Sequence, residues 1–227
     1  MTVTDTKQPV IAYLCPRINF LKTYAPAIVE QIRNGFSLAP ALIIPGRGDT
    51  LFGNKNNTAA SREMLQHYAF YQDVRILEAD NEQQLLALLL HNNVKAVVNV
   101  VPGESREICE YVMPESRKQG VRWCAMGSNG DELRVVARNK GATIEQWDLI
   151  TTVNCLWKRW LIDFLAKVNP AKVASAKKIV AIGNPEFDQQ EQCGFDRKQI
   201  REKYKLPRDK KIIFTISPPT YSVIAPY

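Results

Sequence analysis

The chain has 227 residues, of which 45% are hydrophobic and 23% are charged, and its formal net charge is +7. A chain of this length and composition can bury a sizeable core in one large or two small domains, which excludes an intrinsically disordered protein. Its longest apolar run, around residues 85–90, is too short to span a bilayer, and the first eight residues lack the hydrophobic segment of a signal peptide. We therefore expect a cytoplasmic protein, at most peripheral to the inner face of the membrane.

Cysteine and histidine usage disfavours metal chemistry. There are only two histidines, no CxxC motif, and an odd number of scattered cysteines that lie mostly inside apolar runs. The cysteines are Cys15, Cys109, Cys124, Cys155 and Cys193. This pattern indicates reduced thiols rather than a disulfide framework or a zinc site. We expect no metal and no cofactor.

The basic excess lies late in the sequence, between residues 167 and 211, where it is mixed with acidic side chains. Nucleic acid, an anionic membrane surface or a phosphorylated small molecule would each be attracted by such an excess, and a solvated helix face would show it too. No nucleic-acid-binding motif accompanies it, so we expect no nucleic acid partner.

Apolar runs of strand length alternate with segments of helical periodicity over the first 182 residues. Strands are predicted at 10–15, 41–44, 73–77, 94–101, 121–126, 149–153 and 179–182. Helices are predicted at 20–33, 59–71, 80–91, from 102–105 through 112, at 131–139 and after 154. This alternation implies right-handed crossovers, so the predicted fold class is α/β with a doubly wound, parallel, Rossmann-like sheet of about seven strands.

Three local features of the helices are also predicted. Asp80 and Asn154 suit N-caps, and Pro26 suits the first turn of its helix. The helix after Asn154 is expected to place its apolar residues on one stripe. That stripe comprises Trp157, Trp160, Leu161, Phe164, Leu165 and Val168.

The segment after the seventh predicted strand indicates a domain boundary. Gly-Asn-Pro at 183–185 ends that strand, because proline lacks an N–H and biases the preceding residue away from helix. A capped helix at 196–204 and a buried strand at 212–216 follow. We predict a Rossmann-like domain at 1–188, and a linker, helix and first strand of an incomplete second Rossmann-like domain at 189–227.

This order of strand, Gly-x-Pro-x-x-Asp, charged helix, Leu-Pro-x-Asp-Lys-Lys and strand resembles the interdomain crossover of glycosyltransferase-B-type proteins. It is most similar to their glycerophosphotransferase, polysaccharide glycosyltransferase and nucleotide-sugar epimerase branch. The matching residues are Gly183, Pro185, Asp188 and the block 206–217. In that family the first domain handles the acceptor and the second domain binds the nucleotide. A member of that family would continue after residue 227 with another full domain, so we expect either a fragment or a protein that has lost catalysis, and no activity from these 227 residues alone.

Ligands of open parallel sheets bind at the carboxyl ends of the strands, which selects polar residues in the loops that follow the predicted strands. The ligand-binding candidates are Arg17, Asn19, Gly103, Ser105, Ser128, Asn129, Asn184, Ser217, Thr220 and Ser222. Arg17 suits an anion clamp, and Ser128 and Asn129 suit sugar hydroxyls. The resemblance implies that the loop containing Ser217 approaches the donor diphosphate. A solvated loop arginine and ordinary turns would fit the same residues.

Candidate catalytic residues emerge only by elimination. His67 and His91 do not follow predicted strands, which leaves Glu104, Asp131 and, less directly, Asp49 as candidate general bases. Glu104 and Asp131 also suit ordinary roles at helix N-termini. The loop after the first strand lacks Gly-x-Gly-x-x-Gly, which disfavours a dinucleotide site there.

Two functions from different classes follow. The resemblance implies the acceptor-side part of a transferase that moves a sugar or glycerol-phosphate unit from a nucleotide-activated donor to a glycan or lipid-linked acceptor. The alternative is a non-catalytic α/β binding or scaffold module for a phosphorylated ligand or protein partner. A nucleotide-sugar epimerase half would need carboxylates and a histidine at positions that the sequence does not supply.

Overall fold

A computed structural model of the chain describes residues 8–17, 20–51, 63, 65–66, 68, 70–100, 107–127, 144–183, 198, 201–202 and 205–207. The chain divides into two compact units, Met1–Gln189 and Gln190–Tyr227. The assignment of 1–188 as a Rossmann-like domain and of 189–227 as the start of a second one stays a prediction.

The described part of the first unit contains one sheet of seven strands in the order β3-β2-β1-β4-β5-β6-β7. The strands are β1 (Val10–Leu14), β2 (Ala39–Pro45), β3 (Arg75–Ala79), β4 (Val94–Asn99), β5 (Arg122–Ala125), β6 (Leu149–Thr152) and β7 (Ile179–Ala181). Every neighbouring pair is parallel. The predicted α/β class and the doubly wound parallel sheet are confirmed.

Alternate side chains of the central strands enter two separate cores, one on each face of the sheet. In β1, Ala12 and Leu14 join one core, while Tyr13 joins the other. The helices α1 (Leu21–Arg33), α2 (Glu82–His91) and α4 (Cys155–Val168) cover these faces. Helix α1 packs in the Tyr13 core, whereas α2 and α4 pack in the Leu14 core. This burial on both faces explains why the strands read as continuous apolar runs.

Helix α1 begins earlier than its proline suggests. Pro26 lies inside the helix, five residues after Leu21, so the prediction that it marks the first turn is wrong. Tyr24, Ala25 and Ile28 are fully buried, and this burial stabilises a helix that Pro26 alone would weaken. The helix ends at Arg33, and Gly35 has a positive φ of 57°.

Helix α2 is capped one residue later than predicted. The Asn81 side chain, not that of Asp80, accepts a hydrogen bond of 2.9 Å from the Gln84 backbone N–H. Asp80 is engaged instead with the loop after β2, because its Oδ1 accepts from the Gly48 N–H at 2.8 Å. The preceding strand is also displaced from its predicted range, to Arg75–Ala79.

A π-helical turn, Ile108–Val112, follows β4 and continues as α3 (Met113–Lys118). The Met113 N–H donates to the Ile108 carbonyl, five residues back. The next residue, Pro114, has no N–H and its ring would clash with the carbonyl of an ordinary helical turn, so the wider turn accommodates it. The helix thus extends to Lys118 rather than ending at Val112 as predicted.

Helix α4 has the predicted N-cap, but its apolar residues are unevenly buried. Asn154 caps it as predicted, since its Oδ1 accepts from the Trp157 N–H at 2.9 Å. Of the predicted apolar stripe, only Leu161 and Leu165 are buried, and Trp160 is 44% exposed. The predicted stripe is therefore only partly buried. A 3₁₀ helix, Pro170–Lys178, then leads to β7.

The described residues of the second unit include the end of a helix. Lys198, Arg201 and Glu202 are helical. The N–H of Leu206 donates to the Arg201 carbonyl at 2.8 Å, and Lys205 has a positive φ of 52°. This geometry is that of a Schellman C-cap, close to the predicted end of the helix. Across the described residues of both units, no helix is long and apolar enough to cross a bilayer.

Candidate functional site

The strand order places a crevice between the ends of β1 and β4. The chain moves from β1 to β2 and β3 on one side, then crosses to β4 and continues on the other side. In open parallel sheets ligands bind outside the carboxyl ends of the strands at such a reversal. The residues that follow Leu14 and Asn99 therefore border the candidate site.

The floor of this crevice is closed by Tyr24 from α1. Its hydroxyl donates to the Leu14 carbonyl at 2.7 Å and accepts from the Val100 N–H at 2.8 Å. The side chain is fully buried, and this burial raises the pKa of its hydroxyl well above the ordinary value. Tyr24 thus links β1 to the residue after β4 as a neutral group. A ligand in the crevice has to lie beyond Tyr24, outside the carboxyl ends of the strands.

Cys15, directly after β1, is also a structural group. It is 2% exposed, and its Sγ donates to the Arg17 carbonyl at 3.2 Å. Burial raises the pKa of the thiol to about 12. A thiol with this pKa holds almost no thiolate at neutral pH, so Cys15 is no nucleophile.

Two predicted site residues fall within the described residues. Asp49, a candidate general base, is buried, and its Oδ1 accepts a hydrogen bond from the Leu51 N–H at 3.0 Å. Arg17 is the other. It lies in the turn after β1, where the Phe20 N–H donates to its carbonyl at 3.0 Å, and its side chain is exposed. It follows the carboxyl end of β1 beside the crevice, and its role in binding an anion stays a prediction. The planar guanidinium can bind a phosphate or carboxylate through two hydrogen bonds.

The loop after β2 presents a second arginine at the same edge. Gly46 and Gly48 lie against Asp80, and a Cβ on Gly46 would come within 2.1 Å of the Asp80 Oδ1. The Thr50 N–H also donates to the Asp80 carbonyl, at 2.7 Å. The start of this loop is thus held by specific hydrogen bonds. Arg47 is exposed between the two glycines, and its loop follows the strand next to β1.

The ends of β5 and β6 are joined by side-chain hydrogen bonds. The Gly127 N–H donates to the buried Thr151 hydroxyl at 3.0 Å, and the Thr152 hydroxyl donates to the Asn154 carbonyl at 3.1 Å. The Met126 N–H donates to the Asn99 carbonyl at 2.9 Å. These bonds fix the points from which the loops after β4 and β5 leave the sheet.

A cavity of about 460 Å³ opens where the first turns of α2 and of the π-helical segment meet. It is lined by Glu82, Gln83, Glu107, Glu110 and Tyr111. Its volume lies within the range of small-molecule pockets. Carboxylates repel phosphate but accept hydrogen bonds from hydroxyl groups, and Tyr111 adds a half-exposed ring. The cavity therefore suits the hydroxyls of a sugar rather than its phosphate.

Structural ion pairs lie at the amino ends of the strands, opposite the candidate site. The Asp148 Oδ2 accepts from the Arg117 Nη1 and from the Trp123 N–H, each at 2.8 Å. Lys172 pairs with Glu145 at 2.5 Å, which lowers the pKa of that carboxyl group. These residues precede β5, β6 and β7, so they fix the amino ends of the strands.

The other predicted site residues lie outside the described residues. They are Asn19, Gly103, Glu104, Ser105, Ser128, Asn129, Asp131, Asn184, Ser217, Thr220 and Ser222. The sequence analysis in turn missed the roles of Tyr24, Arg47 and Asp80. A tyrosine at a buried helix position signals a hydroxyl that needs a partner, and two glycines around Arg47 signal a close backbone approach.

The described residues hold no group of three or more His, Cys, Asp or Glu side chains placed to bind a metal ion. The free cysteines among them are Cys15, Cys109, Cys124 and Cys155. Cys15 and Cys109 are buried, whereas Cys155 is exposed.

Comparison with solved structures finds similar folds. The crystal structure of a glycosyltransferase from Rickettsia africae ESF-5 matches with a TM-score of 0.51 and 14% sequence identity, over 90% of this chain and 51% of that chain. The chain therefore shares its fold with part of that structure. It spans about half the length of that structure.

The other comparisons give no further information about the family of this chain. A solved structure described as native KDPGal matches with a TM-score of 0.30 and 13% identity over 91% of this chain and 100% of its own length, which is too low to carry an argument. No protein-family model matches the chain. No curated protein matches it either.

Proposed function

We propose that this chain is the acceptor-side part of a glycosyltransferase-B-type transferase. It would serve the transfer of a sugar or glycerol-phosphate unit from a nucleotide-activated donor to a glycan or lipid-linked acceptor. The observation that carries the proposal is the pair of exposed arginines, Arg17 and Arg47, on the loops of two neighbouring strands beside the β1/β4 crevice. The glycosyltransferase fold of the matched structure supports it.

In this proposal the two sides of the site have different tasks. Arg17 and Arg47 bind a phosphate of the ligand, since guanidinium groups recognise phosphate oxygens in pairs. The cavity with Glu82, Glu107 and Tyr111 takes the hydroxyls of the acceptor sugar. Tyr24 holds the base of the loop after β4 in place.

The proposed general bases remain Glu104 and Asp131, in the loops after β4 and β5. The proposed ligand contacts in those loops are Gly103, Ser105, Ser128 and Asn129. The loop after β4 leaves the sheet beside Tyr24, and the loop after β5 leaves it beside Thr151. A base at either position would stand near an acceptor hydroxyl bound at this edge.

Titration calorimetry tests the site with glucose 1-phosphate and CDP-glycerol as probes. We expect Arg17→Ala to weaken binding at least tenfold, because it removes a charged hydrogen-bond donor pair. Arg33→Ala is the matched control, since Arg33 is exposed at the far end of α1. Absence of binding of both probes, or equal weakening by both substitutions, would contradict the proposal.

The second candidate function is a binding or scaffold module for a phosphorylated ligand. Its specific support is that Tyr24 and Cys15, the titratable groups described at the crevice floor, are held neutral and offer no base. Removal of residues 189–227 separates the two functions. Undiminished binding without them favours the module, whereas detectable transfer or donor hydrolysis by the whole chain refutes the expected inactivity.

We further propose a cytoplasmic chain that is peripheral to an anionic membrane surface, because a lipid-linked acceptor would be presented there. The late basic excess of the sequence supports this location.

A further inference from the structure

Helix α4 carries an apolar ridge that points away from the core. Leu156, Trp160 and Phe164 are spaced four residues apart and share one row of the helix. Leu156 is 74% exposed and Trp160 is 44% exposed, although both lie in an ordered helix. Exposure of a tryptophan and a leucine side by side is unfavourable in water, which indicates that another surface covers them.

The ridge is ordered by its own aromatic contacts. The rings of Trp160 and Phe164 stack with centroids 5.2 Å apart and an interplanar angle of 12°. Trp157 meets Trp160 edge to face at 6.1 Å. Phe164 also packs against the core, so the ridge is anchored at one end and free at the Leu156 end.

The segment that contains the ridge is basic. Residues 155–178 contain six basic side chains and one acidic side chain, a net charge of +5 out of the chain's total of +7. Lys172 and Lys178 are bonded to Glu145 and to backbone carbonyls near β6. Arg159 and Lys167 are exposed on α4 itself, on the helix surface next to the ridge.

We propose that this ridge, Leu156, Trp157, Trp160 and Phe164, docks on an anionic lipid bilayer surface. Tryptophan prefers the boundary between headgroups and hydrocarbon, and Lys and Arg beside it are drawn to anionic headgroups. A protein partner is disfavoured because four side chains are far fewer than the 20–30 residues per side of a stable protein interface. The ridge thus deepens the peripheral location proposed above by naming the surface responsible.

Sedimentation with phosphatidylglycerol/phosphatidylcholine vesicles tests this inference on the whole chain. We expect binding to these vesicles, little binding to pure phosphatidylcholine, and weakening as salt is raised. Intrinsic fluorescence should shift to the blue on binding, since Trp160 leaves water while Trp123 and Trp147 are already buried. Absence of binding to anionic vesicles at low salt overturns the inference.

Two pairs of variants locate the binding surface. Leu156→Ser with Trp160→Ser should lower vesicle affinity at least tenfold, whereas Phe36→Ser with Leu90→Ser, which removes two exposed apolar residues elsewhere, should not. Arg159→Gln with Lys167→Gln should lower it about 25-fold, at about fivefold for each charge near the surface. Arg33→Gln with Lys95→Gln is the charge-matched control.

An equal loss of vesicle affinity in a ridge variant and its control overturns the inference, because overall charge or overall hydrophobicity would then explain the binding. Gel filtration distinguishes a second copy of the chain as the occupant. A dimer that the Leu156→Ser/Trp160→Ser variant dissociates would also overturn it. The vesicle assay contains no sugar or donor, so its failure leaves the proposed transferase site untouched, and failure of that site leaves this inference untouched.

Discussion

At the scale of single residues, Tyr24 is the group on which the geometry of the crevice depends. Its hydroxyl satisfies one backbone group at the end of β1 and one just after β4. Both partners are buried, so neither gains a hydrogen bond to water when the hydroxyl is lost.

Tyr24→Phe should therefore lower the free energy of unfolding by about 2–3 kcal/mol, the cost of leaving buried polar groups unsatisfied. Chemical denaturation measures the change. Tyr111→Phe serves as the control and should stay within about 0.5 kcal/mol, because Tyr111 is partly exposed on its helix. Equal stability of the Tyr24→Phe variant would show that the bridge contributes nothing.

The buried Cys15 thiol predicts a loss of stability at alkaline pH. Its pKa is raised from 9.0 to about 12 in the folded chain. A group whose pKa is raised by folding contributes its full stabilisation of the folded state at pH values below its unfolded pKa. For Cys15 this contribution to the free energy of unfolding is lost as the pH rises from 9 toward 12. The expected slope for this group is about 1.4 kcal/mol per pH unit.

Denaturation between pH 8 and 11 measures this slope. Cys15→Ala should make the decline shallower by the contribution of one group, while Cys155→Ala, which removes an exposed thiol, should leave it unchanged. A decline of the same steepness in the Cys15→Ala variant would disprove the assignment.

Residue roles at the site were only partly predictable from sequence. Arg17 was predicted because it directly follows an apolar run. Arg47 was not predicted, because nothing local shows that Asp80, more than thirty positions later, holds its loop. Long-range partners of this kind depend on which strands become neighbours, and periodicity does not encode that.

At the scale of elements, the junction of the β2 loop with Asp80 fixes one wall of the site. The backbone at Gly46 is buried against the Asp80 carboxylate, whereas Gly48 has room for a Cβ at ordinary contact distance. The two glycines therefore form a matched pair for substitution.

Gly46→Ala should lower the free energy of unfolding by about 1–3 kcal/mol, since the new methyl group displaces the Asp80 carboxylate from the Gly48 N–H. Gly48→Ala should cost clearly less. The double variant Gly46→Ala/Asp80→Ala should lose less stability than the sum of the two single variants, because the clash between the new methyl group and the Asp80 carboxylate is then gone. Equal effects of the two glycine substitutions would refute the close approach.

Element types were more predictable than element ends. All seven predicted strands in the described region are present, because buried parallel strands read as continuous apolar runs. The errors lie at Pro26, Pro114 and the cap of α2. At Pro26 and at the cap of α2, tertiary contacts prevail over local preference, namely the burial of Tyr24 and the bond from Gly48 to Asp80. At Pro114 the helix continues because the preceding turn is π-helical.

At the scale of the whole molecule, the strand order decides where chemistry is placed. Alternation of strands and helices predicts a parallel sheet, but it does not state that β1 and β4 are neighbours. That adjacency brings the loop with Arg17 beside the loop after β4. The structural ion pairs at Arg117, Asp148 and Glu145 lie at the amino ends of the strands, away from the proposed site.

Backbone amide mapping by NMR tests the central claim that ligand binds at the carboxyl edge. On titration with glucose 1-phosphate or CDP-glycerol, we predict that shifts cluster at Cys15–Arg17, Gly46–Asp49, Val100 and the first turns of α2 and the π-helical segment. Shifts centred on Arg117, Asp148 and Lys178, or no shifts with either ligand, would contradict it.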